Sequence, residues 1–451
     1  MVKVGIVSLG CPKNLVDSEI MLGILKSNNF EVTDDESLAD IIIVNTCGFI
    51  ESAKQESINT ILEMSQYKEK NCELLIVTGC LSERYKDEML EEIPEIDAVI
   101  GTRDYANIVS VIQDAYDFKE GLEVQRNHCN NSNCISYLDN ERLLSTKSKG
   151  YAYIKISEGC DNCCTYCIIP QLRGAYRSRK IESIVLEAKS LAQAGIKEVI
   201  LIAQDTTRYG TDIYGSRKLV ELIKEISRVD GIEWIRLLYC YPELIDDYLV
   251  NEIKTNDKVC KYLDIPIQHA SEKILKAMGR RGSIQQVRNL IHNLRNTIPH
   301  ISIRTTLIVG FPGEDKKDFE ELYSFVEDMK FDRLGVFTYS KEEGTPAAKM
   351  KGQIPEKVKK NREHSIMSLQ KKISRSINTD RLGRTYKALV EGVSEDGLFY
   401  YGRTYAEAPG IDGTVYFTSR EPLDLGTFAT VKILNIEDYD LIGEVIYELT
   451  E

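Results

Sequence analysis

Short β-rich runs alternate with helix-length stretches through most of this sequence, and that alternation leaves few folds open. From residue 2 to about 125 the runs VKVGIVSL, IIIVNTC, ELLIVTGC and DAVIG are separated by helical stretches at 15–27, 50–67 and near 82–91. Such alternation predicts a parallel sheet in an open α/β layer, an N-terminal domain over 1–125. Residues 126–149, RNHCNNSNCISYLDNERLLSTKSK, are polar and aperiodic and read as a linker. A second series begins at Tyr151 with YIKIS, EVILIA, WIRLLY, YLDIPI, ISIRTTLIVG and RLGVFTY. Six such repeats predict a partial βα barrel over 150–375, whose functional groups belong on the loops after the strands. After a basic helical stretch, EKVKKNREHSIMSLQKKISR, five short β segments with turns predict a small β-barrel of OB type over 380–449.

At 451 residues the chain has the length of roughly three domains, taking about 150 residues each. Hydrophobic residues at 43% and charged residues at 28% exclude disorder and a coiled coil. No apolar run approaches the ~18 residues that span a bilayer, and the first residues read as a strand rather than a signal core. A cytoplasmic protein without membrane contact is expected. Twelve cysteines are too few for a disulfide scaffold at this length, so clustered ones point to metal or redox chemistry. A net charge of −13 argues against a general polyanion binder.

The cysteine spacing carries the chemistry. Cys160, Cys164 and Cys167 lie in EGCDNCCTYCIIP, directly after the first barrel strand. Three thiolates in CxxxCxxC spacing suit a 4Fe-4S cluster with one iron left open. Such an iron can chelate the amino and carboxylate groups of S-adenosylmethionine, and electron transfer through it can cleave the sulfonium to a 5′-deoxyadenosyl radical. The alternative, a zinc knuckle, ordinarily pairs CxxC with a second CxxC or a His pair, and none lies nearby. Cys163 is an adjacent competitor for the ligand set. Tyr166 packs either beside the adenine or into the core. A second, dispersed trio is Cys11 in SLGCPKN, Cys47 in VNTCGF and Cys80 in VTGCLS, with Gly10, Gly48 and Gly79 beside them. Each follows a parallel strand at the edge where open α/β sheets gather ligands, so the three thiols are expected to converge.

With these motifs the chain resembles the radical S-adenosylmethionine methylthiotransferases over essentially its whole length. SLGCPKNLVDSE, SEGC, IIPQLRGAYRSR and AQDTTRYG are similar to the branch that modifies an aspartate of small-subunit ribosomal protein twelve. The tRNA-modifying branch typically has Gln-x-Asn after its first cysteine, whereas Pro12, Lys13 and Asn14 follow Cys11 here. The resemblance implies a C-terminal TRAM domain and two 4Fe-4S clusters, each held by one cysteine triad. It also implies two uses of S-adenosylmethionine, as methyl donor to sulfur at the auxiliary cluster and as source of the radical that takes hydrogen from the aspartate β-carbon. The product would be 3-methylthioaspartate, and a low-potential donor such as flavodoxin or ferredoxin would supply electrons. Two alternatives remain at this stage, the same chemistry on a tRNA adenosine and a non-catalytic RNA- or ribosome-binding metalloprotein.

Charge bears on that choice. Residues 380–451 hold six Lys or Arg against fourteen Asp or Glu, a net charge of −8. An RNA-binding barrel should be basic, whereas an acidic one complements a basic ribosomal protein. Gln204 and Asp205 after the second barrel strand, Arg304 on the fifth and Gly310 in TLIVGFPGED are candidate cofactor contacts, and each is equally a cap or turn residue. Cys72, Cys129, Cys134, Cys240 and Cys260 read as ordinary thiols, and Lys357, Lys359, Lys360 and Arg362 as a solvated helix face.

Overall fold

A computed structural model describes residues 1–129, 135–145 and 149–447. Cys134 lies outside the described residues. Six parallel strands build the first sheet, in the spatial order Glu31–Val32, Lys3–Ser8, Ile41–Thr46, Leu74–Gly79, Ala98–Ile100 and Asn127–His128. Ile41–Thr46 and Leu74–Gly79 are buried at every position, the pattern of central strands covered on both faces. The segment read as a linker supplies the Asn127–His128 edge strand and the buried Tyr137.

The central region has two three-stranded parallel sheets, Tyr151–Lys155, Glu198–Ile202 and Trp234–Leu237, then Tyr262–Gln268, Ser302–Val309 and Arg333–Thr338. An Ile235–Val259 bridge and the bond from the Cys240 N–H to the Asp264 carbonyl (2.8 Å) join them into one open six-stranded wall. Helices cover its outer face, including Glu356–Thr379, which buries Ile366, Leu369 and Ile373. That helix is not simply a solvated basic face. Lys359 is buried and donates to the Tyr339 carbonyl, and Arg362 pairs with Glu314 at 2.8 Å.

The inner face of the wall is closed by the first domain. Helix Pro12–Ser27 buries residues all round, among them Lys13, Asn14, Asp17, Glu19, Ile20 and Leu25, because it is sandwiched between its own sheet and the barrel. Its core is continuous with Tyr151, Tyr153, Ile200 and Ile202, which point inward from the barrel strands. The last domain is a closed five-stranded barrel in the order Thr385–Val393, Tyr400–Arg403, Val415–Thr418, Leu441–Val445, Phe428–Ile436. It docks through Trp234 edge-on to Phe428 at 4.7 Å and through buried Glu198, which accepts from Arg236 and Arg403. Among the described residues no helix is long and apolar enough to cross a membrane.

Candidate functional site

Three neighbouring strands of the first sheet deliver the dispersed trio. Cys11 caps helix Pro12–Ser27 just beyond Lys3–Ser8, Cys47 follows Ile41–Thr46, and Cys80 opens helix Cys80–Glu92 directly after Leu74–Gly79. Only glycine allows the loops to approach this closely. Gly10 has φ +85°, and a Cβ there would stand 2.7 Å from the Cys47 Cβ. A Cβ on Gly48 would stand 2.9 Å from the Cys80 carbonyl carbon. Asn14 ties the loops together, its amide donating to the Leu9 and Thr46 carbonyls at 3.1 and 2.9 Å. Ser57 brackets the Cys47 backbone, accepting from its N–H and donating to its carbonyl, both at 3.0 Å.

The second triad sits on one loop, closed at its base by a two-residue antiparallel ladder between Ser157–Glu158 and Arg177–Ser178. Cys160 and Cys164 are buried and Cys167 partly so, whereas Cys163 is exposed. Burial is the main force on three of these thiols, pushing Cys160 to about 11 and Cys47 and Cys167 to about 12. Burial acts on Cys11 too, but Lys13 and Arg173 outweigh it and hold that thiol below its ordinary value. Among the described residues no three His, Cys, Asp or Glu side chains form a site for a single metal ion. A cubane presents a separate iron corner to each thiolate.

A cavity of about 340 Å³ opens beside the second triad, lined by Cys164, Asp205, Arg208, Tyr241, Glu243 and Arg280. Two buried polar atoms have no partner, Arg280 Nη1 on the cavity wall and Gln204 Oε1 on the residue before the lining Asp205. An unmet acceptor and an unmet cationic donor close to the second triad fit a small zwitterion held at a cluster. Gln204 is aimed by its Nε2, which donates to Glu158 at 2.8 Å. Asp205 is occupied by Asn162 at 3.0 Å and Thr207 at 2.8 Å, and burial raises its pKa. Tyr166 packs against Met278, Phe311 and Tyr339, with its hydroxyl kept protonated by burial and by Cys164. Arg304 is the third residue of its strand, not at the strand's end, and pairs with Asp264 at 2.9 Å and Asp412 at 3.5 Å. Gly310 is a turn at φ +75°, where a Cβ would stand 2.3 Å from Lys359 Cγ.

Sequence reasoning did not single out the charges between the triads. Lys155, Asp17, Glu158 and Arg173 are all buried and mutually paired, with Lys155 2.8 Å and Arg173 2.9 Å from Glu158. The Tyr137 hydroxyl donates to Glu158 at 3.1 Å. Burial disfavours the Glu158 carboxylate, yet Arg173 and Lys155 hold it ionised, well below the usual carboxylate range. The signal was in YIKIS, where a lysine inside an apolar strand demands a buried counter-charge.

Residues 3–101 match the Uncharacterized protein family UPF0004, residues 154–326 the Radical SAM superfamily and residues 382–446 the TRAM domain. The ribosomal protein uS12 methylthiotransferase RimO of Acetivibrio thermocellus is 64% identical over 448 residues, 99% of each chain. Its namesake in Clostridium kluyveri is 55% identical over 447 residues, 99% of this chain and 98% of that one. This chain belongs to the ribosomal protein uS12 methylthiotransferase family. It is a radical S-adenosylmethionine transferase, and such enzymes carry a 4Fe-4S cluster and S-adenosylmethionine.

Solved structures bear on the fold of this methylthiotransferase. The radical S-adenosylmethionine methyltransferase TsrM of Kitasatospora setae aligns with TM-score 0.59 at 14% identity, over 77% of this chain and 76% of that one. The cobalamin-dependent S-adenosylmethionine radical enzyme OxsB aligns with TM-score 0.53 at 14% identity, over 83% and 56%. Both cover more than the radical domain alone, so the pairing of an α/β layer with the partial barrel recurs.

Proposed function

We propose that the protein attaches a methylthio group to the β-carbon of an aspartate in ribosomal protein uS12, with Cys160, Cys164 and Cys167 holding the radical cluster and Cys11, Cys47 and Cys80 an auxiliary one. The observation that carries this reading is the packing of Cys80 against Ile168 and Leu172, the residues that follow Cys167. One thiol of the first triad thus lies against the segment that follows the second. When bound, the clusters and S-adenosylmethionine supply the sulfur, its methyl group and a radical able to take hydrogen from an unactivated C–H bond, which no side-chain base removes at neutral pH.

The chain's own part is placement and exclusion of water. Gln204, with its free Oε1, and Arg280, with its free Nη1, suit the amino and carboxylate ends of the cofactor's methionine. Helix Pro12–Ser27 seals the inner face of the barrel, so reacting groups meet in a dry, oriented setting. Arg84 and Lys54 close the rim from the first domain, pairing with Glu342 at 2.7 and 3.2 Å.

A protein substrate is favoured by the acidic last domain, where Glu395, Asp396, Glu421, Asp424, Glu437 and Glu444 are exposed. Such a face attracts a basic ribosomal protein and repels RNA. The assignment places the enzyme in the cytoplasm, with a low-potential flavodoxin or ferredoxin as electron donor. Mass spectrometry of uS12 and of tRNA from a strain lacking the gene is the test. Loss of the methylthio mass from uS12 alone is expected. Its loss from tRNA, with uS12 unchanged, overturns the assignment.

A further inference from the structure

Arg173 touches both halves of the site. It ends the short helix Ile169–Arg173, six residues after Cys167, and is 1% exposed. Nη1 donates to Asp17 at 3.1 Å and to Glu158 at 2.9 Å. Nη2 donates to Asn14 Oδ1, the atom that also faces the Cys80 sulfur at 4.0 Å. Burial raises the Cys80 thiol above its ordinary value, and the Arg173 charge opposes that rise. Glu158 in turn receives the Gly159 N–H at 3.0 Å, one residue before Cys160. A continuous buried chain therefore runs from the Cys80 sulfur through Asn14, Arg173 and Glu158 to the Cys160 loop.

We propose that Arg173 is a positioning residue that fixes the auxiliary thiolates against the radical loop and, as a buried cation joined to Cys80 through Asn14, raises the reduction potential of the auxiliary cluster. The proposal rests on Cys80 being a cluster ligand. Two features of arginine are used. Its planar fork meets Asn14, Asp17 and Glu158 together, which a lysine ammonium on a flexible stem does not do. Its charge sits in a low-dielectric site beside sulfur, where hydrogen bonds and net charge set cluster potentials. Lys155 still pairs with both Asp17 and Glu158 when Arg173 is replaced by a neutral residue, so each buried acid keeps a cationic partner although one charge then serves two carboxylates.

The test uses Arg173→Gln and Arg173→Lys in the reconstituted holoenzyme, with two readouts. The first is the midpoint potential of the auxiliary cluster, titrated by electron paramagnetic resonance in a background where Cys160, Cys164 and Cys167 are replaced by Ala. The second is the ratio of 5′-deoxyadenosine to methylthiolated product in the otherwise intact enzyme. Arg173→Gln should lower the midpoint and raise the ratio by at least about tenfold, since small misplacement of reacting groups is costly. Arg173→Lys keeps the charge, so its midpoint should stay near the parent while the ratio still rises. Parental values of both readouts in Arg173→Gln, or a parental ratio in Arg173→Lys, overturn the proposal. Cys80→Ala separates this from failure of the ligand assignment, because full iron retention at the auxiliary site in that variant refutes the assignment itself.

Discussion

Lys13 Nζ stands 3.3 Å from the centre of the Tyr239 ring, joining the residue two places after Cys11 to the loop after the third barrel strand. Lys13 is 7% exposed, so its cation draws its partner from a ring face in a desolvated seam. Such contacts reach about 2 kcal/mol when dry. Tyr239→Leu should cost about that much in unfolding free energy, and Lys13→Met in the same chain should recover most of it. A double-mutant cycle with a coupling below roughly 0.3 kcal/mol would dismiss the contact as incidental.

Gly10→Ala brings together a positive φ and a Cβ only 2.7 Å from that of Cys47. Backbone strain alone is about 1–2 kcal/mol, and the clash pushes the Cys47 loop away from Cys11. The expected result is a folded protein with about half the parental iron that still forms 5′-deoxyadenosine. Full iron with normal product formation would show that the loop accommodates the methyl group.

Cys163 and Cys164 both line the cavity, but Cys163 is exposed and Cys164 is buried. Cys164→Ala should abolish reductive cleavage of S-adenosylmethionine, because the site-differentiated cluster needs all three thiolates. Cys163→Ala should retain it. Reversed behaviour in the two variants would reassign the ligand set.

His269 is fully buried, its Nδ1 accepting the Ser271 N–H at 3.0 Å and its Nε2 3.8 Å from Glu314. Burial pushes its pKa from 6.5 down to about 3, helped by Arg362 and Lys273 and opposed by Asp318. The unfolded chain thus takes up a proton below about pH 6.5 that the folded chain refuses. This contribution is complete above that pH and is lost as pH falls toward 3, at a limiting slope of about 1.4 kcal/mol per unit. His269→Asn keeps an acceptor for Ser271 and should flatten the decline in denaturant stability between about pH 6.5 and 5. Parallel curves for parent and variant would refute this.

Glu198 accepts from Arg236 at 2.6 Å and Arg403 at 2.7 Å in a fully buried junction between the barrel and the last domain. Arg403 keeps Glu391 at 2.6 Å when Glu198 is neutralised, but Arg236 keeps no carboxylate, only the backbone carbonyls of Thr404 and Tyr405 and the Tyr262 ring face. Glu198→Gln should therefore cost about 3–5 kcal/mol and expose the last domain to limited proteolysis first. An unchanged digestion pattern would indicate that apolar packing around Trp234 is sufficient.

Much of the fold was legible because strand and helix periods are local. The two edge strands Glu31–Val32 and Asn127–His128 were not, since two residues carry no period. The cysteines were legible through their place after strands. Their electrostatic setting was not, because Lys155 meets Asp17 across 138 residues and only tertiary packing brings that pair together. Arg304 shows the same limit, as its position on a strand was visible while its pairing with Asp264 and Asp412 was not.

The sandwiched helix Pro12–Ser27 also governs the order of events during synthesis. Asp17 leaves the ribosome long before Lys155 and Arg173, the cations that neutralise it in the finished protein. Until they arrive, one face of the helix has no cover and a carboxylate bound for the interior must stay in water. The first domain therefore cannot reach its final burial as an independent unit, although its sheet is complete at residue 128. Throughout that interval Cys80 lacks the cover that Ile168 and Leu172 give it in the finished protein.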